Sequence, residues 1–266
     1  MYIELIKNKL LQNEKSLKAF WEASFPVKHF FLDDLLPIEL AEKISKRFPS
    51  LNLLSRYDTL RERKSIGIEM NKYHSAIGEI TFAFQDAGVL EIVGRITEIE
   101  KLGADENLYS SGVSAMKMGD YLNPHIDNSS NPFIKQYRRI NALYYVGKGW
   151  EQGFGGELEL WNSKRADKIS LSPNFNRVIF MNTNRTSFHS VSPLKNCGDY
   201  IRNCISNYYF SPFSPENYEY FHVTSFRGRP ENPIQDALLK IDGSVRNLFR
   251  KIKPREASDI THVYKK

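Results

Sequence analysis

From about Tyr109 onward this chain of 266 residues changes texture. It becomes a series of short segments rich in β-branched and aromatic residues, separated by Gly, Pro, Asn and Asp clusters. That pattern is the signature of an all-β sandwich or barrel. It predicts strands over Ser114 to Met118, Ile140 to Val146, Glu157 to Trp161, Arg177 to Asn182 and Ile201 to Phe210. A long glycine-rich connection, Gly147 to Gly156, separates two of them.

The flanks read differently. The first hundred residues read mostly as helix: Leu36, Leu40, Ile44 and Phe48 recur at helical spacing, Pro37 suits a first helical position, and Pro49 stops the run. Phe25 to Phe31 suggests a short strand before it. Val89, Val93, Ile96 and Ile99 suggest a helix ending near Lys101. Beyond Pro212 the chain turns polar and proline-punctuated. Ile234, Leu238, Ile241, Val245, Leu248 and Ile252 then recur at alternating four- and three-residue steps, one amphipathic helix with Gly243 as a weak point. Its stripe is expected to pack on the barrel, with a homodimer seam as the alternative. The organisation expected is one domain over 1–266, with a mostly helical part (1–108), a β core (109–212) and an extension carrying the amphipathic helix (213–266).

Two cysteines, Cys197 and Cys204, are too few to staple a chain of this size, and a reducing compartment fits best. No apolar run is long enough for a signal peptide or a membrane span, which predicts a cytoplasmic protein without a membrane partner. The net charge of +6 invites an anionic partner, yet the basic residues are well mixed with acids, which argues against nucleic acid.

His125 and Asp127 form an H-x-D pair, and on an extended segment residues two apart face the same side. Such a pair arises by chance roughly 0.3 times in a chain like this, so its weight depends on what lies downstream. Downstream, His189 follows the predicted strand ending at Asn182. Two imidazoles and one carboxylate on one face of an octahedron leave three positions open, the arrangement of iron(II) oxygenases. A closed zinc site would need a fourth ligand, and no cysteine or histidine is placed to provide it. His29, His74, His222 and His262 lack a carboxylate two residues on and read as structural or surface histidines.

Arg202 opens the run ending at Phe210. A dicarboxylate that chelates iron through its keto-acid end needs a cation for its far carboxylate, and guanidinium offers two-point pairing. Strand alternation places Ser206 on the face of Arg202, and Leu143 on the face of Tyr145, whose phenol can donate. Singly, Arg202 reads as well as a surface ion-pair residue and Tyr145 as a half-buried core aromatic.

Taken together, Gly119 to Asp127, Arg138 to Val146, Gly155 to Leu158, Asn176 to Phe180 and His189 to Phe210 resemble the prolyl-4-hydroxylase-like branch of the 2-oxoglutarate oxygenases, which includes the hypoxia-sensing prolyl hydroxylases. The resemblance covers about Ser110 to Phe210. It implies a mainly β fold: a double-stranded β-helix (jelly roll, cupin-like) core, here with flanking N-terminal helices and a C-terminal helix. It implies that His125, Asp127 and His189 are the catalytic iron ligands, that Arg202 anchors 2-oxoglutarate, and that Tyr145, Ser206 and Leu143 line the co-substrate site. Arg138 matches a position at the substrate entrance. Some members carry a tyrosine on the strand before the H-x-D pair that touches the co-substrate. Here that neighbourhood is Ala115-Met116-Lys117-Met118. The step from His189 to Arg202 is also longer than in the hypoxia-sensing members.

The implied cofactors are Fe(II), 2-oxoglutarate and O2, with ascorbate as an accessory. The implied reaction couples decarboxylation of 2-oxoglutarate to succinate and CO2 with hydroxylation of a small-molecule or peptidyl substrate. Asn128 to Tyr137 and Gly147 to Gly155 are the expected rim loops. Asn128, Trp161 and Arg185, with Trp150, are candidate substrate residues. The competing readings are a non-catalytic metal- and 2-oxoglutarate-binding sensor or scaffold, and a nucleic-acid demethylase.

Overall fold

The computed structural model describes residues 1–252 apart from Ser110, Pro132 and Asn217; His262, with the rest of 253–266, lies outside the described residues. The N-terminal part contains α1 (Tyr2–Ala23), β1 (His29–Leu32), α2 (Ile38–Arg47), β2 (Ser55–Asp58), β3 (Glu62–Gly67), α3 (Ser75–Ala83) and α4 (Ala87–Thr97). The strands that follow are β4 (Gly112–Met116), β5 (Tyr121–Ile126), β6 (Ser130–Asn131), β7 (Gln136–Tyr145), β8 (Leu158–Trp161), β9 (Lys168–Leu171), β10 (Arg177–Asn182), β11 (His189–Val191) and β12 (Arg202–Ser211). The C-terminal part adds β13 (Ser225–Phe226) and α5 (Pro233–Ile252). The five strands expected from sequence are present with ends moved by a few residues. The first hundred residues are less helical than their texture suggested, since β1, β2 and β3 lie there.

All strands pair antiparallel in the order β1-β10-β7-β12-β4-β3-β5-β11-β8-β9, with β2 beside β3, β6 beside β7 and β13 beside β5. β3 is the hinge of this curled sheet, because Ser65 to Gly67 pair with β4 while Glu62 and Arg63 pair with β5. The result is the expected double-stranded β-helix.

Side-chain alternation divides the first half of the sheet between two cores. Ile140, Ala142 and Tyr144 of β7, Val178 and Phe180 of β10, and Ile205 and Tyr209 of β12 face the helices, in one cluster with Ile6 and Leu10 of α1, Ile77 and Ile80 of α3, and Val89 and Val93 of α4. The intervening residues Leu143 and Tyr145, Ile179 and Met181, and Cys204 face the barrel interior. Both cysteines are unpaired and buried. No helix among the described residues is long and apolar enough to cross a membrane.

The C-terminal helix departs from expectation. Its stripe does not pack on the barrel: Ile234 is 76% exposed, Ile241 62%, Leu248 61% and Ile252 76%. The opposite, polar face is the one held down. Asp242 accepts from Arg61 at 2.8 Å and from Arg246 at 2.9 Å, Asp236 pairs with Arg165 and Arg227, and Leu239 alone of the helix's large apolar side chains is buried. Ion pairs with the body, rather than apolar burial, fix the rotation of this helix.

Candidate active site

His125 is the last residue but one of β5 and His189 opens β11, and the antiparallel register sets them opposite each other. Their ring centroids lie 4.1 Å apart. Each Nδ1 sits beside a carbonyl two residues back, Asn123 O at 3.0 Å and Ser187 O at 3.1 Å. An Nδ1–H that donates there leaves Nε2 bare as a ligand atom, a common way of fixing the tautomer of a metal-binding histidine. Asp127, one residue past β5, turns its carboxylate to the same point: Oδ1 is 3.5 Å from His125 Nε2 and Oδ2 is 3.7 Å from His189 Nε2. The three ligand atoms all lie within 4.8 Å of one another.

The protonation states suit a divalent metal. Burial, with His125 beside it, pushes His189 down to about 4, so it is neutral at pH 7. Burial alone would raise the Asp127 carboxyl, but Arg138 first, then the two histidines, outweigh it and hold the carboxyl well below the usual carboxylate range. A set of two imidazoles and one carboxylate fits iron(II) and leaves the open positions that a closed zinc site lacks.

The outer side of Asp127 is gripped by β7. Asn141 Nδ2 donates to Oδ2 at 2.7 Å, and an Arg138 guanidinium nitrogen lies 3.1 Å from the same oxygen. Arg138 is buried and stacks over Tyr208 at 4.4 Å. With the Asn141 amide donating to Oδ2 and the Arg138 charge beside it, Oδ1 is the oxygen left for a metal.

At the other end of the same cavity lies Arg202, 3% exposed. Its Nε donates to Gly156 O at 2.6 Å and one terminal nitrogen to the Tyr145 hydroxyl at 3.1 Å; the other faces Met116 Sδ at 3.8 Å. Gly156, at φ 79°, lets the backbone turn its carbonyl onto Arg202, and a Cβ there would stand 3.2 Å from the Arg202 Cδ. No carboxylate pairs with Arg202 among the described residues. The cavity that Arg202 and the histidines line measures about 690 Å³ in all.

Of the residues expected from sequence, the structure brings His125, Asp127, His189, Arg202, Leu143, Ser206, Arg138 and Asn128 to this cavity, with Tyr145 directly behind Arg202. Two others lie elsewhere. Trp161 is buried, its indole N–H donating to Ser190 Oγ at 2.7 Å, and Arg185 is exposed, its guanidinium over the Tyr218 and Tyr220 rings. Trp150 likewise turns into its own loop and donates to Gly155 O.

Sequence reasoning missed Asn141, Phe226 and the β3 wall. Phe226 stacks on His125 with centroids 4.9 Å apart, because β13 pairs with β5 at that residue. Glu62, Lys64 and Ile66 line the cavity from alternate positions of β3, with a 2.8 Å ion pair between the first two. Asn141 had a signal, since it shares the face of Leu143 and Tyr145. The other four had none, being placed by pairings between segments far apart in sequence.

Residues 111–210 match the sequence profile of the 2OG-Fe(II) oxygenase superfamily. No curated protein matches the chain by sequence. Among solved structures, a prolyl hydroxylase from Trichoplax adhaerens, in complex with a hypoxia inducible factor oxygen degradation domain peptide fragment, is similar with a TM-score of 0.56 at 18% identity, covering 76% of this chain and 91% of its own. A Pseudomonas putida prolyl-4-hydroxylase gives 0.53 at 14% identity, covering 73% and 98%. A prolyl 4-hydroxylase from Phytophthora capsici gives 0.52 at 14%, covering 94% and 78%. At such identities the likeness is one of fold. The chain is thus similar to the 2OG-Fe(II) oxygenase superfamily over residues 111–210, and its fold is one that prolyl hydroxylases also use.

Proposed function

We propose that this chain is an iron(II)- and 2-oxoglutarate-dependent dioxygenase that hydroxylates an unactivated C–H bond of a peptidyl or small-molecule substrate. The observation that carries the reading is a single cavity with two imidazoles and a carboxylate at one end and, at the other, a buried guanidinium with no carboxylate partner among the described residues. A buried charge is costly unless compensated, and the distal carboxylate of 2-oxoglutarate is the anion that would compensate Arg202.

Iron(II), when bound with 2-oxoglutarate and O2, supplies the oxidising chemistry. This chain's own residues do the rest. His125, Asp127 and His189 would hold the metal, and Asn141 and Arg138 keep the Asp127 carboxylate from turning. Arg202 would take the far carboxylate of the co-substrate, with the Tyr145 proton free to donate to the same anion because the Tyr145 oxygen already accepts from Arg202. Leu143, Phe226 and Val191 keep water from the metal side. Substrate would enter past Asn128 and Arg138.

We read the three segments of the chain as one oxygenase unit, since β3 from the first and β13 from the last both complete the sheet around this cavity. A peptidyl substrate is favoured by the Trichoplax likeness, whose structure holds a peptide. The demethylase reading gains no support, because Arg61, Arg165, Arg227 and Arg246 are paired with Asp236 or Asp242 rather than forming an open cationic track.

The test is succinate formation from 2-oxoglutarate with iron(II), O2 and ascorbate, screened against proline peptides, free amino acids and small metabolites. Turnover is expected, and His189→Ala should abolish it along with metal binding. Full activity in that variant would remove the assignment of the triad. Metal and 2-oxoglutarate binding without any decarboxylation would favour the sensor instead.

A further inference from the structure

α5 presents its hydrophobic face to solvent. Ile234, Leu238, Ile241, Val245, Leu248, Phe249 and Ile252 are each more than half exposed. At the rotation of an α-helix they fall within an arc of about 100°. The opposite arc carries Asp236, Leu239, Asp242, Arg246 and Asn247, which hold the helix to the body through Arg165, Arg227, Arg61, the Thr224 carbonyl and the Val223 amide. The helix is therefore fixed in place without help from its apolar side.

Seven side chains left this bare form a strip on the order of 700 Å², more than monomeric proteins usually leave contiguous. It approaches the roughly 800 Å² per partner of a standard interface. The steps of four, three, four, three and four residues from Ile234 to Ile252 alternate as the apolar positions of a heptad do, the rhythm that keeps a seam facing a paired helix and lets side chains of one fill the gaps of the other. No charged residue interrupts the seam, so two identical copies meet without like charges in register, and a helix pair about a two-fold axis uses the same patch on both sides.

We propose that α5 pairs with α5 of a second copy of this chain through this seam, giving a homodimer whose interface lies on the far side of the helix from the cavity. The proposal is independent of the catalytic reading. It also has a consequence for the site, because Arg246, on the inner side of α5, and Arg61, held by Asp242 of α5, both line the cavity. Pairing the helices would steady that wall.

Sedimentation velocity on the intact chain tests this directly. The expected mass is that of two chains, falling twofold to one chain in Leu238→Glu/Val245→Glu, with the circular dichroism spectrum kept. Should the double variant fail to fold, the milder Ile241→Gln should still raise the dimer dissociation constant at least tenfold, while Lys240→Glu, on the same helix outside the seam, leaves it unchanged. A wild-type chain that stays single at its highest soluble concentration would overturn the proposal, as would a dimer untouched by Ile241→Gln. A single chain that floats with phosphatidylcholine vesicles would also overturn it, assigning the seam to a lipid surface.

Discussion

Arg138 and Arg202 sit on strands of the same half of the sheet, each almost fully buried, at opposite ends of one cavity. Arg138 has a carboxylate: it lies 3.1 Å from Asp127 and, with Asn141, engages its Oδ2. Among the described residues Arg202 has only neutral partners, the Gly156 carbonyl, the Tyr145 hydroxyl and the Met116 sulfur. A buried cation with its counter-ion is part of the fold, whereas one without is a place prepared for an anion that arrives later. Residue type and burial are the same at both ends, and the partner alone separates them.

The largest effect expected from this contrast is on stability. Arg138→Leu should destabilise the metal-free protein by about 3–5 kcal/mol in urea unfolding, because it strands the Asp127 carboxylate in the interior. Arg202→Leu should not destabilise the ligand-free protein comparably. If both substitutions cost the same, the distinction fails. Arg202→Leu should instead weaken 2-oxoglutarate by about 2–5 kcal/mol in calorimetric titration, the loss typical of one member of a buried charge pair. Unaltered affinity would mean that the anion binds elsewhere.

Asn141→Ala sharpens the metal end of the comparison. It leaves Arg138 in place and should lower iron(II) affinity roughly 10- to 100-fold, as removal of outer partners of a metal ligand does. Affinity equal to wild type would show that Arg138 holds Asp127 unaided. The smallest effect belongs to Tyr145→Phe, which removes one neutral hydrogen-bonding group behind Arg202. It should weaken 2-oxoglutarate by about 0.5–1.5 kcal/mol with metal affinity unchanged. A change in metal affinity would mean that the two ends are not separate.

Much of this site was legible because strand geometry is local. His125 and Asp127 obey the two-residue rule of an extended chain, as do Leu143 with Tyr145 and Arg202 with Ser206, and all reach the cavity or its wall. Asn141 obeys the same rule, yet nothing in the sequence says that the outer oxygen of Asp127 needs an amide. Glu62 and Lys64 were hidden for a different reason. With Glu62, Lys64 and Ile66 on its cavity face and Arg63, Ser65 and Gly67 on the other, β3 shows no apolar alternation, so it read as part of a helical region. Trp161 and Arg185 show the converse: their residue types suit a binding rim, but the indole found Ser190 and the guanidinium found Tyr218.

The two amphipathic helices mark where local information ends. α1 buries Tyr2, Ile6, Leu10, Leu17 and Trp21 against the body, as an apolar stripe ordinarily does. α5 has as clear a stripe and turns it outward. The sequence by itself determined the strand segments, the shared face of His125 with Asp127 and of Arg202 with Ser206, and the existence of both helices, because periodicity and two-residue spacing act over a few bonds. Only the tertiary structure decided that Phe226 meets His125, that Asn141 grips Asp127 and that α5 faces away, because register and ion pairs between distant segments set those positions, and no local pattern records which partner a charge will find.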